Sequence, residues 1–178
     1  MFDELIKIIF KSLKLDSSLY KDSNNFGETS LYYAGAIIFI DGVASAFAVS
    51  AIYKTNIILT GFTSLLTWLF WAMLIYVIGI KIFPDPNTNS SFKKVLVTVG
   101  FAHAPGILRF FALTPSLIIP IIFLTQFWIF ASLIIGIKEI FSFKSTFKSF
   151  GVFLIAFLIV AIISVAYVIN TLNSLPIN

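Results

Sequence analysis

The chain has 178 residues, of which 59% are hydrophobic and only 11% charged, with a net charge of +4 and a mean hydropathy of +1.02. No soluble core of this length could hide so much apolar surface, so the composition points to a membrane protein. The basic residues lie between apolar blocks and form no basic stripe, which argues against a nucleic-acid partner and for an anionic lipid surface, and the absence of cysteine removes disulfides, thiolate metal sites and a thiol nucleophile.

The opening, MFDELIKIIFKSLKLD, does not read as a cleavable signal peptide, because acids come first and lysines interrupt the apolar run. Its apolar residues Phe2, Leu5, Ile6, Ile9 and Leu13 follow helical spacing, with Asp3, Glu4, Lys7, Lys11 and Lys14 between them. Residues 1–30 are therefore expected to be an N-terminal segment with an amphipathic helix, either lying in the inner leaflet's interface or packed on the mouth of a helix bundle. Leu15 to Ser30 is polar and reads as loop.

Three uncharged stretches are long enough to cross a bilayer: Thr55 to Ile80, Phe111 to Ile137 and Ser149 to Asn178. Two more, Leu31 to Ile52 and Val95 to Leu113, are equally apolar but contain Asp41 in one and His103 with Arg109 in the other. Loop charge decides the count, since lysine and arginine are retained on the cytoplasmic side. Five spans leave Lys7, Lys11, Lys14, Lys21, Lys81, Lys93, Lys94, Lys138, Lys144 and Lys148 inside, against Lys54 outside. Three spans would scramble that alternation.

The expected fold is thus all-α, with a five-helix transmembrane domain over 31–172 and spans at 31–52, 58–81, 94–113, 116–138 and 149–171. The N-terminus is placed in the cytoplasm and the short tail 173–178 outside. Tyr32, Tyr33, Tyr53, Tyr76 and Tyr167 fall near span ends, as an aromatic belt requires. FPDPNTNSS, residues 83–91, is the clearest turn.

Ionisable residues within a bilayer are costly, and they are the sharpest chemical clue in the chain. At a rise of 1.5 Å per residue, Asp41 lies about 15 Å into the first span and His103 about 13 Å into the third, both near the midplane, and Gln126 reaches a similar depth from the other side. Asp41 and His103 are expected to pair, with Gln126 as a third member of an intramembrane polar site; tying helices together is the simpler role for such a pair than a proton or ion path. Arg109, the fourth candidate residue of this polar site, lies roughly 9 Å further toward the exterior, where its side chain would snorkel to the headgroups without needing a partner.

Pro105 is expected to kink the third span beside His103. Gly42, Ala46 and Ser50 in the first span, and the pairs Gly100/Ala104 and Ala102/Gly106 in the third, are spaced as facing small-residue surfaces for internal packing. Trp68, Trp71 and Trp128 sit deep and read as core filling, with indole N–H groups that need partners. Ser45, Ser50 and Ser64 are expected to bond to their own helices.

Elimination leaves no catalytic, cofactor or metal site. A single histidine without cysteine rules out HExxH and every two-histidine metal site, and neither G-x-S-x-G nor G-x-x-x-x-G-K-[ST] occurs. FSFKSTFKSF, residues 141–150, alternates lysine with phenylalanine. With Lys138, Lys144 and Lys148 it could lie in the headgroup layer and attract anionic lipid. Abundant Ile, Lys, Phe and Asn suggest an AT-rich genome, hence a bacterial or archaeal inner membrane.

The segment SSFKKVLVTVGFAHAPGILRFF, with its basic start, its aromatic-small-His-Ala-Pro turn and its following apolar span, resembles the Yip-domain family, whose members were named as Ypt-interacting proteins. The resemblance extends through LLTWLFWAMLIYVIGIKIF to the last span and is to the short prokaryotic type. It implies a five-helix membrane domain with a cytosolic N-terminus. Family members that engage Rab-type GTPases do so through long cytosolic N-terminal regions. Here about 30 residues precede the first span and no DLYGP-like motif is present, which speaks against GTPase binding.

Two functional classes follow. One is a noncatalytic module that organises lipids, membrane-protein partners or copies of itself. The other is a small oligomeric channel or transporter built on Asp41, His103 and Gln126 beside Pro105.

Overall fold

The computed structural model describes residues 2–22, 27–50, 52–84, 88 and 90–173. Among them the fold is entirely helical: α1 (Phe2–Leu13), α2 (Ser18–Lys21), α3 (Glu28–Val49), α4 (Ile57–Lys81), α5 (Phe92–Ala102) continued by a 3-10 segment (Ala104–Phe111), α6 (Pro115–Ile140) and α7 (Thr146–Asn173). Five segments are long and apolar enough to cross a membrane: α3, α4, α5 with its 3-10 continuation, α6 and α7. The chain is an integral membrane protein, and the span limits lie within a few residues of those read from the charge pattern.

Local chemistry sets several ends. The Asn56 side chain accepts from the Leu59 N–H at 3.1 Å to start α4, the Ser91 hydroxyl accepts from Lys94 N–H at 3.3 Å to start α5, and Pro115 occupies the first turn of α6. Ser142 closes α6 in the left-handed region, where Phe143 N–H reaches back to the Lys138 carbonyl at 3.0 Å.

Small residues let the spans approach. A side chain at Gly42 would meet Ser64 Cβ at 2.8 Å and the Gly61 backbone at 3.1 Å, so α3 and α4 nearly touch there. A Cβ at Gly100 would lie 2.9 Å from the Ala34 backbone, and Gly136 gives room to Thr98. The expected facing surfaces are therefore divided: Gly42 turns to α4, whereas Gly100 and Gly106 of the third span face α3. Ala34, Ile37, Ile75, Val95, Val97 and Ile137 form the fully buried centre. The last span packs on it through Val152, Phe153 and Ala156.

The N-terminal segment is a packed element. Ile8 and Ser12 are buried on α1, and Phe2, Ile6 and Phe10 are exposed on another face. This is the mouth-packed alternative, with an outward apolar stripe in addition. Residues 15–30 are not simply loop: α2 interrupts them, Leu19 and Tyr20 are buried, and Glu28 to Ser30 already belong to α3; residues 23–26 lie outside the described residues. Tyr20 bonds to Ser132 of α6 at 2.7 Å, and Lys21 pairs with Glu139 at 3.6 Å. Part of the central turn at 83–91, namely 85–87 and 89, also lies outside the described residues.

FSFKSTFKSF divides in the same way. Phe141 and Phe143 are buried, Phe141 fitting into space left by Gly79, while Phe147 is 83% exposed. Of the tyrosines near span ends, Tyr32, Tyr53 and Tyr167 face outward, but Tyr33 is buried and donates to Glu4 of α1 at 3.0 Å. Lys144 is exposed, Lys138 is half-buried, and Lys148 lies over the Phe143 ring at 5.8 Å.

Candidate functional site

The site begins with a broken helix. Pro105 has no N–H to give the carbonyl four residues back, that of Phe101, and α5 stops at Ala102. Ser12 of α1 supplies the missing donor, its hydroxyl bonding to the Phe101 carbonyl at 2.8 Å. Beyond the break the chain runs as a 3-10 helix from Ala104 to Phe111, so the expected kink is a change of helix type.

That change decides where Arg109 points. With about three residues per 3-10 turn, residues six apart share a face, so Arg109 and Gly106 line up below His103. A continuous α-helix would have turned Arg109 about a third of a revolution away. The expectation that Arg109 snorkels outward without a partner is thus corrected: it is 7% exposed and its Nη1 bonds to Asp41 Oδ1 at 2.8 Å. Gly106 makes the approach possible, because a Cβ there would overlap the Asp41 carboxylate.

The remaining contacts complete the cluster. His103 Nδ1 lies 2.9 Å from Asp41 Oδ2. Arg109 Nη1 also donates to Ser45 Oγ at 2.8 Å, Nε to Thr125 Oγ1 at 3.0 Å and Nη2 to Gln126 Oε1 at 2.9 Å. Asp41, His103 and Gln126 lie within three residues of the middle of their spans. The structure therefore brings Asp41 and His103 into contact, with Gln126 joined to them through Arg109. Ser45 and Thr125 were not assigned to the cluster from sequence; the adjacent polar pair Thr125 and Gln126 in an otherwise apolar run was the available signal.

Charge accounting explains the arrangement. A lone carboxylate or guanidinium at this depth would cost several kcal/mol. Here they touch, and with a neutral imidazole the cluster has no net charge. Both carboxylate oxygens and all three guanidinium nitrogens have partners within the domain. A carboxylate can only accept, so the Asp41–His103 contact places a hydrogen on Nδ1 and leaves Nε2 directed away from Asp41.

Two cavities flank the cluster. One, of about 270 Å³, lies between α3 and α4 and is lined by Asp41, Ser45, Ser64, Trp68, Trp71 and His103 among others. The second, of about 280 Å³, is lined by Ser45, Val49, Thr60, Arg109, Ile122 and Gln126 among others. Ser45 and Thr60 border both.

The serines behave as expected: Ser45 donates to the Asp41 carbonyl, Ser50 to that of Phe47 and Ser64 to that of Gly61. Ser64 also reaches the Ile38 carbonyl of α3 at 2.9 Å. Trp68 finds its partner in the Leu96 carbonyl at 2.9 Å, whereas Trp128 Nε1 has none among the described residues. Comparison with family models, with curated proteins and with solved structures yields no match.

Proposed function

We propose that this chain is a noncatalytic module of the Yip-domain type in a prokaryotic cytoplasmic membrane, organising anionic lipids or partner proteins, with its N-terminus in the cytoplasm. The observation that carries this reading is the saturation of the intramembrane cluster. Its charged groups bond to one another, which suits a lock that fixes α3, the third span and α6 in register. What the domain presents outward is a lysine-bearing end, with α1, Lys81, Lys93, Lys94, Lys144 and the exposed Phe147 beside it. Each lysine near an anionic surface contributes about 1 kcal/mol of attraction.

Spin-labelled lipids measure this directly in reconstituted vesicles. The motionally restricted fraction should favour anionic over zwitterionic lipid, and the preference should fall when Lys93, Lys94, Lys144 and Lys148 are replaced by glutamine. Equal restriction of both lipid types by the native chain would defeat the lipid-organising reading.

The paired cavities favour a second reading, a small oligomeric channel or transporter. They reach the cluster from two sides and share Ser45 and Thr60, beside a discontinuous span of the kind that forms midplane sites in transporters. A path would carry protons or small ions across the bilayer, and a lock would not, so flux into liposomes separates the two.

A further inference from the structure

The cavity between α3 and α4 is bordered by hydroxyls whose hydrogens are already committed. Ser45, Thr60, Thr63, Ser64 and Thr67 border it, and every one of these hydroxyls gives its hydrogen to a main-chain carbonyl, at 2.6 to 3.2 Å. Trp68 likewise gives its indole N–H to Leu96. Ser45 Oγ also accepts from Arg109, and what the other side chains retain toward the cavity is lone pairs and aromatic faces. His103 lines the same cavity with Nδ1 held by Asp41 and Nε2 without a hydrogen-bond partner among the described residues, so the neutral ring offers Nε2 as a further acceptor.

An acceptor-lined cavity calls for an occupant that donates. The charge balance selects among donors: Arg109 already neutralises Asp41, so no net negative charge remains to offset an ammonium group. A neutral hydroxyl meets the need without that cost. The cavity is lined only by residues of spans, and Thr63 and Thr67 at its rim are exposed, so it opens sideways at the depth of the lipid chains. Its volume of about 270 Å³ has room for several waters, or for the head of one amphiphile and the first part of its chain.

We propose that this cavity binds the hydroxyl head of a neutral membrane amphiphile, a lipid alcohol, with His103 Nε2 accepting the hydroxyl hydrogen and Trp68 and Trp71 flanking the chain. The site is distinct from the lysine-bearing end and stands whether or not that end organises lipid.

Two measurements test it. Trp128→Phe leaves Trp68 and Trp71 as the only indoles. In vesicles, a fatty alcohol brominated near its hydroxyl should quench them saturably and more strongly than its methyl ether, and His103→Phe should reduce the alcohol to the level of the ether. The native chain has a single histidine, so ¹⁵N-histidine labelling reports Nε2 without any substitution that could disturb folding. Its resonance should move on addition of the alcohol and not of the ether. Equal quenching by alcohol and ether, or an unmoved Nε2 signal at saturating alcohol, overturns the proposal. So does stronger binding of the matching brominated amine, since the charge balance would then be wrong.

Discussion

Replacing Arg109 with methionine keeps a long flexible side chain in place while removing four hydrogen bonds, and the loss is unevenly distributed. Ser45 and Thr125 keep their bonds to their own helices, to the Asp41 and the Ile121 carbonyls, so neither hydroxyl is left without a partner. Gln126 loses a charged donor. Asp41 suffers most, because its carboxylate is 9% exposed and then keeps only the hydrogen bond to His103. Breaking a buried pair from one side costs about 3–5 kcal/mol, whereas removing both partners costs much less. Arg109→Met should therefore destabilise by about that amount, Asp41→Asn by a similar one, and the double variant by about 2 kcal/mol or more less than their sum. Steric trapping in bicelles gives these free energies without denaturant. Additive losses within about 0.5 kcal/mol would refute the lock, because they would mean that carboxylate and guanidinium do not stabilise each other.

Three smaller perturbations probe the parts that build the site. Gly106→Ala puts a methyl group into the Asp41 carboxylate and should lower stability by about 1–3 kcal/mol, the usual cost of overpacking, while Gly35→Ala, where the nearest side-chain atom is 3.9 Å away, should be nearly silent in the same assay. Ser12→Ala leaves the Phe101 carbonyl without its donor at a cost of about 1–3 kcal/mol, and hydrogen exchange should show α1 opening more often than in the native chain. Burial pushes the Tyr20 phenol up to about 12, so in an absorbance titration the difference between the native chain and Tyr20→Phe should be a phenol still protonated at pH 11. The unfolded chain ionises near pH 10, so the stability linked to Tyr20 is complete below that pH and is lost as pH rises from about 10 to 12.

Much of the fold was legible because two independent signals agree. Uncharged windows gave candidate spans, and lysine alternation chose five over three. The depths of Asp41, His103 and Gln126 could be compared because helical rise is regular, and all three lie near mid-span. Arg109 was misplaced by the same arithmetic, since a proline at 105 announces a disturbance without stating that a 3-10 helix follows. The burial of Tyr20 depends on Ser132 and Gly136, more than a hundred residues away. Phe141 is buried because Gly79 leaves a space for its ring. Such contacts are tertiary, and neither periodicity nor composition encodes them.

In the function proposed above, the midplane cluster locks the helices together and is not a path for protons or ions. Proton and monovalent-ion flux through liposomes carrying the purified chain tests it most directly. The expected result is flux no greater than that of protein-free liposomes, for the native chain and for folded Asp41→Asn and His103→Ala variants alike. Flux above that level in the native chain, abolished by either substitution, would contradict the account and make the cluster part of a path.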